Sequence, residues 1–162
     1  MPDIHPTAIV HPHAEIADDV TVGPYTVVGP DVSVGPGTTI GAHTIIENHT
    51  SIGAYNRVGH FVHLGGLPQD LKYRGEPATL EIGDHNDIRE NVTVHIGTEN
   101  GGGSTSIDSH NFLMVGTHIA HDCHVRSHCI MANNVNTSEL RSLPSASSTS
   151  IRRRRHSSTK TP

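Results

Sequence analysis

The sequence predicts an all-β fold: a parallel β-helix built from hexapeptide repeats, with a disordered C-terminal tail. Three observations carry this. An aliphatic residue returns every six positions, Gly follows it more often than not, and aromatics make up only 3% of 162 residues, with no Trp. Hydrophobic residues reach 33%, while Gly (16), Pro (10) and His (15) are abundant. A core without large rings must be narrow and filled by Ile and Val, which argues against a helical bundle or a doubly wound sheet.

Stepping by six from Ile4 reaches Val10, Ile16, Val22, Val28, Val34, Ile40, Ile46, Ile52, Val58 and Leu64. All eleven are aliphatic, although only 32 of residues 1–135 are Ile, Val or Leu. Gly follows seven of them, at 23, 29, 35, 41, 53, 59 and 65. The step resumes at Ile82, Ile88 and Val94, and again at Ile107, Leu113, Ile119, Val125 and Met131. This period belongs neither to a helix nor to a long alternating strand. It fits a short strand followed by a corner, with three faces closing a coil of about eighteen residues. The aliphatic residue points into the prism, and Gly is expected to supply the backbone angles near the corner. Residues one coil apart then stack about 4.8 Å from each other.

The repeat spans 1–135, and two segments interrupt it. Residues 66–81 and the Gly/Ser/Thr-rich residues 97–106 are expected as loops thrown out from the prism, where binding groups concentrate. Residues 136–162 carry no repeat, and 12 of these 27 residues are Ser or Thr, a composition expected to be unstructured. The change is abrupt and falls within a repeat, so out-of-frame sequence is the leading expectation, with a genuine basic tail as the alternative.

The net charge of −5 divides unevenly: 5 Lys+Arg against 15 Asp+Glu in residues 1–135, and 6 against one in 136–162. Arg152 to Arg155 would suit nucleic acid, but the acidic remainder lacks stacking aromatics, so no nucleic-acid partner is expected. No apolar run approaches the ~20 residues of a membrane span. The start, Met1-Pro2-Asp3-Ile4, has neither the basic nor the apolar part of a secretory signal. Cys123 and Cys129 make no disulfide framework. A soluble, cytoplasmic chain is expected.

Chemistry concentrates in residues 117–129, where His118, His121, His124, His128, Cys123 and Cys129 crowd together. Zinc is one reading. However, Ile119 and Val125 point inward, so the side chains between them fan around a corner and would need ligands from neighbouring coils or subunits. A His general base is another reading, with Asp122 beside His121. Surface histidine on a His-rich solenoid is the plain alternative, and it is the expectation for His5, His11, His13, His43, His49 and His110.

The hexapeptides, the segment Gln69-Asp70-Leu71-Lys72-Tyr73-Arg74-Gly75-Glu76-Pro77, the segment Ile88 to His95, and His118-Ile119-Ala120-His121-Asp122-Cys123 occur in that order. Over about residues 3–134 this resembles the acyl-[acyl-carrier-protein]–UDP-N-acetylglucosamine O-acyltransferase family of lipid A biosynthesis. The hexapeptides alone say left-handed β-helix; the Gln69 and His118 segments are specific to the family. The resemblance implies transfer of a 3-hydroxyacyl group from acyl-carrier protein to the 3-hydroxyl of UDP-N-acetylglucosamine, without metal or cofactor. It also implies a homotrimer with sites between subunits. Carried over, His121 is the catalytic base and Asp122 holds its ring. Gln69 and Asp70 meet sugar hydroxyls, Lys72 suits the diphosphate, and His118 and His95 line the pocket.

Beyond residue 135 the family continues with further coils and a helical domain, which supply an oxyanion N–H and carrier-protein contacts. The tail matches none of these. An oxyanion donor alone is worth ~10²–10³ in rate, so little or no turnover is expected of the 162-residue chain. The alternatives are a non-catalytic trimeric β-helix scaffold and a zinc enzyme of the γ-carbonic anhydrase type.

Overall fold

The computed structural model describes residues 1–47 and 49–137. These form the left-handed parallel β-helix that the hexapeptides predict, a prism with three sheets for sides. The first sheet stacks Asp3–Ile4, Thr21–Val22, Thr39–Ile40, Arg57–Val58, Asp87–Ile88, Phe112–Leu113 and Ile130–Met131. The second stacks Ile9–Val10, Val27–Val28, Ile45–Ile46, His63–Gly66, Thr93–His95, His118–Ile119 and Asn136–Thr137. The third stacks Glu15–Ile16, Val32–Val34, Thr50–Ile52, Thr79–Ile82, Ser104–Ile107 and His124–Val125.

Register follows the aliphatic column. Val22 pairs with Ile40, Ile40 with Val58, and, past the first interruption, Val58 with Ile88. Ile46, Leu64, Ile88, Ile107, Leu113 and Ile119 of the six-residue column are fully buried, and Val20, Val32, Val62, Leu80 and Val92, each two residues before a column position, join them in the core. The same wall position elsewhere holds buried polar groups: Thr26, Thr38, Thr44, Asn56, Asn86, Asn111 and Thr117. They serve the backbone. Thr26, Thr38 and Thr44 each donate to a glycine carbonyl at 2.7–2.9 Å. Cys123 and Cys129 occupy the same kind of wall position, both buried and neither in a disulfide.

Gly65 takes the expected left-handed angle, φ 81°, but most of the repeat glycines correct the sequence expectation. Gly23, Gly35, Gly41, Gly53 and Gly59 lie outside the left-handed region. What they provide is clearance: a Cβ on Gly35 would stand 2.7 Å from the carbonyl carbon of Gly53 one coil on. The left-handed corner positions fall two residues later, where twelve non-glycine residues among those described adopt positive φ, including Tyr25, His43, Phe61, Tyr55, His85, His110, Asp122 and His128. Such angles cost an L residue energy. Part is recovered by stacking, since Tyr25, His43 and Phe61 form one column with centroids 5.0 Å apart. Tyr55, His85, His110 and His128 form a second, at 5.0–5.1 Å. Much of the histidine content is thus corner material.

Both interruptions are shorter than their sequence suggests. Gly66 still belongs to the second sheet, while Thr79 to Glu81 and Ser104 to Ser106 belong to the third, leaving excursions of 67–78 and 97–103. The backbone groups of Thr50–Ile52 need partners, and Leu80–Ile82 supplies them. At the other end, Asn136–Thr137 pairs with His118–Ile119, so the repeat runs two residues past 135. The expected Ser/Thr/Arg-rich tail, with Arg152 to Arg155, lies from residue 138 outside the described residues. Among the described residues no helix is long and apolar enough to cross a membrane.

Candidate active site

Both excursions leave the prism at the same corner, between the second and third sheets. On the next coil that corner is Ala120-His121-Asp122-Cys123. The folding pattern therefore piles the two irregular segments and the His-Asp pair along one edge.

Asp122 takes the left-handed corner angle, φ 62°, which fixes where its carboxylate points. His121 Nδ1 lies 2.7 Å from Asp122 Oδ2. Thr98, in the second excursion, donates its backbone N–H to Oδ1 at 2.6 Å and its hydroxyl to Oδ2 at 2.7 Å. The Asp122 N–H is in turn given to Thr105 Oγ1 at 2.9 Å. Burial works against the charged carboxylate, but the hydrogen bonds from His121 and Thr98 outweigh it and hold the group below the ordinary carboxylate value. Among the described residues no partner stands against His121 Nε2.

Along the outer face of the second sheet, Ile9, Val27 and Ile45 give way to His63, Thr93 and His118 in one register column. His118 Nδ1 is 2.7 Å from Thr93 Oγ1. The rings of His95 and His118 meet edge to face, with centroids 4.7 Å apart. Burial, and then the charged forms of His118, His121 and His63, push His95 down to about 4. Burial lowers His118 as well. Both are neutral at neutral pH, each ring able to donate from one nitrogen and accept at the other. His95 Nδ1 is buried with no hydrogen-bond partner among the described residues.

The first excursion is organised by itself. Asp70 Oδ1 accepts the Lys72 N–H at 2.9 Å, the Asp70 carbonyl accepts from Tyr73, and Arg74 bonds to Glu76, Leu71 and Tyr73. The hydrogen bonds described for residues 67–78 all close within the loop. Within this one chain the structure thus assembles His95, His118, His121 and Asp122, and sets no hydrogen bond from Gln69, Asp70 or Lys72 to them. Among the described residues no three His, Cys, Asp or Glu converge to hold a metal ion.

Residues 13–48 match the family model described as bacterial transferase hexapeptide (six repeats). The chain is 61% identical over 134 residues to the acyl-[acyl-carrier-protein]–UDP-N-acetylglucosamine O-acyltransferase of Cupriavidus necator, covering 83% of this chain and 50% of that protein. Its counterpart in Cupriavidus taiwanensis matches to the same extent. Among solved structures, LpxA from Acinetobacter baumannii superposes with a TM-score of 0.81 at 50% identity, over 82% of this chain and 52% of that one. Over 83% of its length the chain is similar to the UDP-N-acetylglucosamine O-acyltransferase family. It spans about half the length of the relatives it matches. A more distant member of this O-acyltransferase family, the Campylobacter jejuni UDP-N-acetylglucosamine acyltransferase, still superposes with a TM-score of 0.78 at 36% identity, over 83% of this chain and 52% of that one.

Two features of the site were not legible in the sequence. Thr98 meets Asp122 across 24 positions, and the excursion between them breaks the coil spacing that would have paired them. His63 Nε2 meets Glu47 Oε1 at 2.7 Å. His63 shares its register column with His118, a relation that counting back through Thr93 would have found.

Proposed function

We propose that this chain carries the base and sugar-nucleotide pocket of an O-acyltransferase that moves a 3-hydroxyacyl group from the thioester of acyl-carrier protein to the 3-hydroxyl of UDP-N-acetylglucosamine, the first step of lipid A synthesis, in the cytoplasm, with little or no turnover from these 162 residues alone. The observation that carries the reading is the His121–Asp122 pair, bonded through Nδ1 and leaving Nε2 for a substrate proton. A sugar hydroxyl becomes a competent nucleophile only as a base takes its proton. The hydroxyl oxygen bonds to the thioester carbon while its proton passes to Nε2. Asp122 stabilises the imidazolium. The carbon–sulfur bond then breaks, and the proton leaves with the carrier thiol.

Neutral His118 and His95 suit sugar hydroxyls, Gln69 and Asp70 add acceptors and donors from the first excursion, and Lys72 offers a point charge to the diphosphate. The reading includes a homotrimer in which the excursion of one copy covers the histidines of the next. Support for this comes from the exposed file Ile9, Val27 and Ile45 leading to the site, and from a first excursion whose hydrogen bonds stay within itself. No metal or cofactor enters the scheme.

Titration of UDP-N-acetylglucosamine into the chain, followed through the ring signals of His95 and His118, tests the reading. Both signals are expected to move, and Asp70→Ala to weaken the effect. Product formed with 3-hydroxyacyl-carrier protein, and lost in His121→Ala, would establish transfer. Binding without transfer would leave a non-catalytic sugar-nucleotide module. No shift at either ring at millimolar ligand would end the proposal.

A further inference from the structure

Thr98 is buried, at 5% exposure, at the start of the short 3-10 turn Glu99–Gly101. Its hydroxyl oxygen accepts the Gly101 N–H at 3.1 Å and sits 2.7 Å from Asp122 Oδ2. Its carbonyl accepts from Gly101 at 3.0 Å and from Gly103 at 2.8 Å. A Cβ on Gly101 would overlap the Asp122 carboxylate, so the turn packs its bare backbone directly against that group. The second excursion is itself tied to the prism, since Thr79 donates to the Gly103 carbonyl at 2.9 Å.

Counting protons along this chain leaves one arrangement. The Gly101 N–H is shared between the Thr98 carbonyl and one lone pair of Oγ1, and an ionised Asp122 can only accept, so the Thr98 hydroxyl proton points to Oδ2. The Thr98 N–H fills Oδ1. A carboxylate receiving both is an acceptor, and the remaining neighbour of Oδ2, His121 Nδ1, has to donate. We propose that Thr98 is the positioning residue of this site: with Gly101 it pins Asp122 as an acceptor, and thereby fixes neutral His121 as the Nδ1–H tautomer with its lone pair on Nε2. The inference rests on the acyl-transfer reading for what that lone pair does, but the proton arrangement stands without it. The second excursion thus acts on the base through the carboxylate and need not touch substrate. The other titratable groups around the pair are His95 and His118 on the second sheet and Glu99 at the start of the same turn.

The test is nitrogen and carbon NMR of the full 162-residue chain without substrates, in wild type, Thr98→Val and Thr98→Ser. In wild type the neutral His121 ring is expected almost wholly as the Nδ1–H tautomer. Thr98→Val keeps the backbone N–H and removes the hydroxyl. The Asp122 carboxyl should then titrate about one pH unit higher, the size of one charge-assisted hydrogen bond, and the tautomer bias should relax. Thr98→Ser should restore both. The proposal is overturned if Thr98→Val leaves tautomer and carboxyl titration as in wild type, or if Thr98→Ser behaves like Thr98→Val. Because no substrate is present, failure here is separate from failure to bind UDP-N-acetylglucosamine or transfer an acyl group.

Discussion

Asn111 donates its backbone N–H to the Asn86 side-chain oxygen at 2.8 Å, and Asn86 donates in the same way to Asn56 at 2.8 Å. The file continues to the Cys129 N–H, which Asn111 Oδ1 accepts at 2.7 Å. These amides replace backbone carbonyl partners inside the wall, where water does not reach. Asn111→Ala is expected to cost about 2–3 kcal/mol by leaving a buried N–H unmet. The exposed Asn133→Ala should stay within about 0.5 kcal/mol of wild type. Urea unfolding of the two variants makes the comparison.

A Cβ on Gly41 would lie 2.6 Å from the Gly59 carbonyl carbon. Gly41→Ala has to push two coils apart, and neighbouring rungs hold both in register. A loss of about 1–3 kcal/mol is expected, as for other overpacked sites. Thermal unfolding would show it. A variant as stable as wild type would mean that the glycine column is not there for clearance.

His95 should stay neutral well below the ordinary histidine range, titrating at about 4. Its folded value lies under its unfolded one, so between about 4 and the ordinary histidine value of 6.5 the unfolded chain binds more protons. Stability contributed through this group therefore falls as pH drops through that window and levels off beneath it. His95→Gln should flatten that part of the profile. Ring-proton titration of His95 from about pH 3 to about pH 8, alongside stability curves of both proteins, checks the value and the sign.

Asp122 secures the second excursion as well as its histidine. Asp122→Ala strips acceptors from the Thr98 N–H and hydroxyl, and residues 97–103 should become the earliest cleavage site for a broad-specificity protease. In wild type the depressed carboxyl keeps the excursion protected at any pH above its ordinary value of 3.8. Protection should be lost as pH falls through the lowered folded value, beneath that point. Fragment mapping by mass spectrometry reads both effects.

The column from Ile4 to Leu64 was legible because a narrow core imposes its period on the sequence directly. Register after each excursion was legible too, since Ile88 and Leu113 return to the same file. The corners were not. Gly23 and Gly41 follow the core residue and look like turn residues, but their role is set by a neighbouring backbone that sequence spacing does not display. His43 and His110 are exposed, as expected, but their left-handed corner angles and stacked columns were not legible. In the site, adjacency revealed His121 with Asp122. The Thr98 contact depends on how the second excursion folds back, which no local pattern encodes.

That both excursions depart from and return to one edge has a consequence for how such a molecule changes. Each coil hands the chain back in the same place whatever happened outside, so an edge segment can be lengthened, shortened or exchanged without renegotiating the interior. The prism works as a ruler with numbered slots: its graduations stay fixed at every Ile and Val, and new chemistry enters by filling a slot.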